Sequence, residues 1–234
     1  MSEDLAKRRL HYVMALTGGF LSGYAILNRC DLLGSAQTSN MIHTVLNLAG
    51  GTFGGLAIRL GAMVLYVSGI VATVLIPRYT KWNLQCASLA VDGAAVLILG
   101  FLPAGMDNML ALYPLFFAMA FQWCAFPGYQ GYVCATTFST NNLRQFATAA
   151  TSFLCGQKEN MREKMKFYGA TLISFHLGVA AAWPCCSLAG VKSAWICFLP
   201  LAAAGYLFLC GREGVAACGL AGLAAETKNE GQVC

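Results

Sequence analysis

The chain has 234 residues, of which 58% are hydrophobic and only 11% are charged, and its mean hydropathy is +0.61. This composition excludes an ordinary water-soluble domain and indicates an integral membrane protein. The net charge of +5 does not indicate a nucleic-acid partner, because in a membrane protein the positions of the cations matter more than their sum.

Long apolar segments follow one another along the chain, and a membrane-crossing helix needs about 20 such residues. They predict an all-α, polytopic fold with about six transmembrane helices. The predicted spans are residues 10–28, 60–77, 84–102, 109–126, 167–188 and 193–210.

The first span follows a short charged head and has no A-x-A-like cleavage site before Arg29, so we interpret it as an uncleaved helix. It contains Gly19 and Gly23 at the spacing of a GxxxG motif. Glycines at this spacing let a second helix approach closely, so they predict tight packing on one face of the span.

Two similar polar motifs interrupt the apolar pattern. Thr38 and Asn40 precede a short apolar segment, and Thr140 and Asn142 precede another. Thr and Asn beside an apolar run are typical N-cap residues, so each motif predicts the start of a helix whose free N–H groups attract anions or polar groups. The segments that follow, 41–49 and 145–157, are too short to cross, and we predict that both re-enter the membrane.

The order span, broken motif, span, span occurs twice. Because three spans is an odd number, the second half enters from the opposite side, which predicts an inverted repeat of residues 1–106 and 107–211, with 212–234 as a disordered cytoplasmic tail. Many transporters build a midplane site from such repeats. A parallel repeat of eight spans is the alternative.

The positions of the cations predict a cytoplasmic amino terminus. With six spans, this orientation places every Lys and Arg on the cytoplasmic side except Arg29, Arg59 and Lys192.

Asp92 and His176 are ionisable residues inside predicted spans, so each is a candidate for proton coupling. The alternatives are a neutral Asp92 that is hydrogen-bonded between helices and a His176 that serves packing.

The chain has 11 cysteines, most of them in apolar segments and none in a CxxC pair. We interpret them as small buried residues, and we predict no metal and no cofactor. HExxH, GxSxG and P-loop motifs are also absent, so no enzymatic activity is predicted.

The sequence resembles the YoaK/DUF1275 family of small bacterial membrane proteins, whose pattern is similar to GGFxDxY, QTGN and TGNLR in this order. Here the matching segments are 18–24, 34–40, 121–122 and 135–144. The resemblance implies a protein of the bacterial plasma membrane. It carries over these residues: Gln37, Thr38, Asn40, Gln122, Thr140, Asn142, Leu143 and Arg144.

The chain departs from this family pattern at three positions. Ser22 replaces an Asp, and Ser39 and Asn141 replace glycines. The missing acid argues against ion coupling at position 22, and the missing glycines imply altered turns.

Together these features favour a small-molecule or ion permease. Its partners would be the lipid bilayer and an unknown small solute or ion, and homo-oligomerisation is left open. The predicted substrate-binding residues are Gln37, Thr38, Asn40, Gln122, Thr140, Asn142 and Arg144, with Asp92 and His176 for protons. The alternative is a membrane scaffold or accessory subunit that transports nothing.

Overall fold

The computed structural model describes residues 3–29, 37–51, 53–156 and 160–211. The first half of the chain has four described elements, and all of them are α-helices. These are α1 (Glu3–Asn28), α2 (Gln37–Ala49), α3 (Leu56–Tyr79) and α4 (Leu84–Phe101).

The second half contains one small β-hairpin between its helices, which the all-α prediction missed. Its elements are α5 (Asn108–Ala111), α6 (Tyr113–Ala125), β1 (Gly128–Tyr129), β2 (Tyr132–Val133), α7 (Thr140–Leu154), α8 (Met161–Ala189), a 3₁₀ helix (Gly190–Cys197) and α9 (198–211). The predicted tail, 212–234, lies outside the described residues.

Four helical stretches of the described ranges are long and apolar enough to cross a membrane: Glu3–Asn28, Phe53–Tyr79, Leu84–Phe101 and Met161–Gly211. They support a membrane protein but are fewer than the six spans predicted from the sequence. The fourth predicted span is divided at Leu112 into α5 and α6, which are both short. The last stretch has 51 residues and combines the fifth and sixth predicted spans.

The last stretch turns back on itself at Gly190, whose φ of 52° is easily reached only by glycine. The rings of Tyr12 and Phe167 lie 5.8 Å apart, so α8 begins beside the start of α1. The end of α8 lies at the end of α1, where the Asn28 amide is 3.1 Å from the sulfur of Cys186. Residues 207–211 then line a cleft together with Glu3 and Lys7. The segment α9 therefore runs back, antiparallel to α8.

Two similar helix pairs each join one helix of the first half to one helix of the second. The helices α1 and α8 are parallel to each other, and so are α3 and α6. The short helix α2 lies on α3, and the short helix α7 lies on α8. In addition, α6 packs against both α3 and α4, which have little contact with each other.

Glycines make the closest helix contacts, as the GxxxG spacing predicted for α1. Gly19 meets the carbonyl group of Phe175, Gly23 meets Ala182, and Gly178 on α8 meets the carbonyl group of Leu16. A Cβ at Gly19 or Gly178 would overlap backbone atoms, so these two helices are in direct backbone contact.

The two short helices lie where the sequence predicted them and are too short to cross, as expected, but both are longer than the predicted segments 41–49 and 145–157. The first begins at Gln37 rather than Met41, and the second begins at Thr140 rather than Gln145. They have 13 and 15 residues, which correspond to about 20 and 22 Å at 1.5 Å per residue. Neither length reaches the roughly 30 Å of a hydrocarbon core.

Candidate functional site

The segment 126–139 between α6 and α7 forms the centre of the candidate site. The helix α6 ends at Ala125, since Pro127 lacks the N–H group that a further helical turn would use. The β-hairpin turns at Gln130 and Gly131, both with positive φ as in a type I′ turn. The backbone from residue 134 to 137 is then buried and non-helical before α7 begins.

A buried group of polar side chains surrounds this segment, and we call it the polar cluster. Each member is at most 1% exposed. The members are Gln122, Thr136, Thr137 and Asn142.

Gln122 joins three elements of the cluster. Its Nε2 donates to the carbonyl oxygen of Met14 on α1 and to Oγ1 of Thr136, each at 3.0 Å. Its Oε1 and the hydroxyl of Thr137 are buried without a hydrogen-bond partner among the described residues. A buried polar group without a partner is costly, so this acceptor and this hydroxyl favour a bound water or solute.

Asn142 holds the broken segment in place. Its Oδ1 accepts from the backbone N–H of Ala135 at 3.1 Å, and its Nδ2 donates to the carbonyl oxygens of Ala135 at 2.7 Å and Phe138 at 3.3 Å. Because the side chain reaches back to the preceding loop, it does not cap the helix.

The first motif has a comparable but separate arrangement. Asn40 is buried, and its Nδ2 donates to Oε1 of Gln37 at 3.0 Å and to the carbonyl oxygen of Arg59 at 3.1 Å. The Nε2 atom of Gln37 is buried without a partner among the described residues. Asn40 therefore ties α2 to the start of α3.

The prediction that Thr38 and Thr140 are N-cap residues is wrong. Thr38 lies inside α2, which begins at Gln37, and Thr140 is the first residue of α7, whose N-cap Ser139 makes no capping bond with its side chain. Both threonines are exposed. With Thr as the N-cap the helices would begin at residues 39 and 141, whereas α2 begins two residues and α7 one residue earlier, and the Asn side chains bind backbone outside the first helical turn.

The described residues show no hydrogen bond between the two motifs. Each Asn binds within its own half of the chain, while Gln122 connects the second motif to α1. Arg144 lies outside the polar cluster, where it is exposed and donates to Oδ1 of Asn141 at 2.9 Å.

The two candidate proton carriers lie in different environments. Asp92 on α4 is fully buried, its Oδ2 accepts from the Ser88 hydroxyl at 3.3 Å, and its Oδ1 has no partner among the described residues. His176 is exposed on α8, with Nδ1 2.7 Å from the carbonyl oxygen of Leu172. No hydrogen bond joins the two side chains within the described chain.

Sequence reasoning missed Thr136, Thr137 and His11 as candidate residues. His11 is 2% exposed, its ring lies 5.1 Å from that of Phe167, and neither ring nitrogen has a partner among the described residues. The position of the two threonines between a helix-breaking Pro127 and the second motif was an available signal. The position of His11 beside a charged head gave no comparable signal.

The prediction that the cysteines are buried is wrong for Cys86 and Cys155, which are exposed, and is confirmed for Cys134. Burial raises the pKa of its thiol to about 12, so the thiol is protonated and unreactive at neutral pH. Over residues 3–29, 37–51, 53–156 and 160–211 no three His, Cys, Asp or Glu side chains come together as a metal site would need. The polar cluster can thus form neutral hydrogen bonds and lacks a nucleophile with a base.

A comparison with protein families gives one match, to the family described as "Protein of unknown function (DUF1275)", over residues 10–207. No curated protein and no solved structure matches the chain. The match includes both motifs and most of each of the four described helical stretches that are long and apolar enough to cross a membrane. The chain therefore belongs to the DUF1275 family.

Proposed function

We propose that this protein is a permease for a small polar solute, with a site at the broken segment between α6 and α7. The observation that carries the proposal is the pair of unsatisfied groups in the polar cluster, Oε1 of Gln122 and the hydroxyl of Thr137. Non-helical backbone at membrane depth is tolerated where protein covers it or where it lines a wet cavity.

The proposed topology has six crossings in two inverted repeats, with a cytoplasmic amino terminus in a bacterial plasma membrane. Two packing relations support it: α1 pairs with α8 as α6 pairs with α3, and α2 lies on α3 as α7 lies on α8. The return of residues 207–211 to the start of α1 supports a sixth crossing. The length of α2 and α7 supports re-entry rather than crossing.

The chemistry of the cluster favours an uncharged, hydrogen-bonding solute. A carbonyl oxygen and a hydroxyl are available, and no formally charged residue belongs to the cluster. We propose that Thr140 and Arg144 form the approach to it, because both are exposed at the start of α7. Gln37, Thr38 and Asn40 would serve the opposite approach, and Asp92 and His176 remain the candidates for proton coupling.

The test adds urea, glycerol, erythritol or potassium nitrate to proteoliposomes. Light scattering then records how the vesicles shrink and how fast they swell again as the solute enters. We expect faster entry than in protein-free vesicles for at least one uncharged solute. Thr137→Val replaces the hydroxyl with a methyl group and should slow this entry about five-fold, since one lost hydrogen bond is worth about 1 kcal/mol. A pH dye trapped in the same vesicles reports whether Asp92→Asn abolishes proton entry.

Thr148→Val is the matched control, because Thr148 is an exposed threonine of α7 that donates to the carbonyl oxygen of Arg144. This variant should transport like the wild type. Vesicles that behave like empty ones with all four solutes would contradict the permease.

The second candidate is a scaffold or accessory subunit that transports nothing. It is favoured by Asn142, whose side chain makes three hydrogen bonds to the loop and thus has a structural role. If Thr137→Val impaired assembly in the membrane and no solute entered through the wild type, the scaffold would be the better account.

A further inference from the structure

A second feature of the helix bundle is an apolar crevice that shares no lining residue with the polar cluster. It has a volume of about 360 Å³ and lies between α3, α4 and α6. Its walls and floor include Leu65, Val91, Ala94, Ile98, Tyr113 and Phe117.

The packing of the helices explains why the crevice exists. Although α3 and α4 are neighbours in sequence, they barely touch, and α6 packs against both of them. Tyr113 and Phe117 of α6 therefore form the floor, and Ala94 is too small to fill the space above them. Ala94 and Ile98 are exposed, so the crevice opens sideways onto the outer surface of the bundle.

The lining offers almost nothing to a polar ligand. Its one side-chain polar group, the Tyr113 hydroxyl, already donates to the carbonyl oxygen of Ile58 at 2.7 Å. A cavity without polar partners does not hold ordered water, and an empty one loses the dispersion energy of its walls. Hydrocarbon is the remaining filling that satisfies this surface.

We propose that the crevice binds one acyl chain of a bilayer phospholipid. Two of its three helices, α3 and α4, are long and apolar enough to cross the membrane, so its side opening faces lipid tails. A helix of a second protein copy is about 10 Å across and would not enter a space of about 360 Å³. The site is independent of the proposed permease.

The test uses a phospholipid with a diazirine in its acyl chain, cross-linked by light to the full-length protein in liposomes. Mass spectrometry then maps the labelled residues. We expect labelling of Tyr113 and Phe117, which are only partly accessible, above that of Val67 and Val71, which are freely exposed on α3. Ala94→Phe places a ring in the crevice and should reduce the floor labelling about ten-fold, which corresponds to a lost free energy of about 1.4 kcal/mol.

Ala181→Phe is the matched control, because Ala181 is an exposed alanine on α8 outside the crevice lining. It should leave the labelling of α6 unchanged. If Ala94→Phe does not yield folded protein, the wild-type comparison between the floor and the exposed face of α3 still decides. Floor labelling no higher than that of Val67, floor labelling unchanged in a folded Ala94→Phe, or capture of a free diazirine fatty acid only would overturn the proposal.

Discussion

Asn142 holds together a stretch of backbone that has left its helix. One amide side chain satisfies both the N–H and the carbonyl of Ala135 and also reaches the carbonyl of Phe138. Three backbone groups that would lack a partner in an apolar interior are paired in this way. Among the residues of the second motif, Asn142 is therefore the one on which the structure of the loop depends most.

Replacing Asn142 with Ala should therefore destabilise the protein more than a neighbouring replacement does. The variant leaves buried backbone groups unpaired, which costs about 1–3 kcal/mol for each unsatisfied group. We expect a clearly lower thermal midpoint in detergent, measured by the reaction of newly exposed cysteines with a thiol dye.

The control for Asn142→Ala is Asn141→Ala, because among the described residues the Asn141 side chain is hydrogen-bonded only to the exposed Arg144. Its midpoint should change little, as is usual for exposed polar contacts. Equal midpoints for the two variants would show that the bonds of Asn142 do not hold the segment.

Glycines without side chains allow the two longest described helices, α1 and α8, to pack closely together. Gly18 faces the carbonyl of Thr136, and Gly19 and Gly178 each face backbone of the opposite helix. In a membrane, where apolar side chains gain little by leaving lipid, this close packing is the main source of helix association.

Gly178→Ala should weaken the pair α1 and α8, because the added methyl would overlap the carbonyl of Leu16. Overpacking of this kind costs about 1–3 kcal/mol. The expected result is a lower thermal midpoint and a smaller yield of monodisperse protein on size-exclusion chromatography.

Gly205→Ala is the comparison, since Gly205 on α9 has open space where the methyl would go. It should be neutral or stabilising by up to about 1 kcal/mol, the difference in helix propensity between the two residues. A Gly178→Ala protein as stable as the Gly205→Ala protein would contradict the packing.

The whole molecule makes a prediction about sidedness. In a variant without its native cysteines, single cysteines at Lys81 and Arg162 should react with a membrane-impermeant thiol reagent only after the cell is opened. Cysteines at Gly105 and Lys192 should react in intact cells. This pattern follows from six crossings with a cytoplasmic amino terminus, and labelling of all four positions from one side would exclude that topology.

The sequence predicted much of the fold because hydropathy and charge act over whole segments. The positions of α1, α3, α4 and α8 follow from apolar length alone, and the two short helices follow from their bounded length. Apolar length does not predict the hairpin at Gln130 and Gly131, although a polar residue followed by glycine is a known turn signal.

The candidate site was harder to predict because it depends on three-dimensional neighbours. The prediction included Asn142 from the repeated motif and Gln122 from the family resemblance, and both lie in the polar cluster. It gave no hint that Met14 on α1 would supply the acceptor for Gln122, because contacts between distant segments leave no local pattern. The exposure of His176 could not be predicted either. On an apolar helix, the sequence pattern does not distinguish the face toward lipid from the face toward the protein core.

Because α1 and α8 are in direct backbone contact, these two helices cannot move closer together or slide past each other freely. A gate at the polar cluster therefore cannot open by parting them without breaking the contacts of Gly19 and Gly178. The segment 126–139 is held by side-chain bonds from Gln122, Asn142 and Tyr168, and its backbone touches α1 closely at Gly18. In the proposed permease, the moving part of such a gate would be this loop, while the pair α1 and α8 stays fixed.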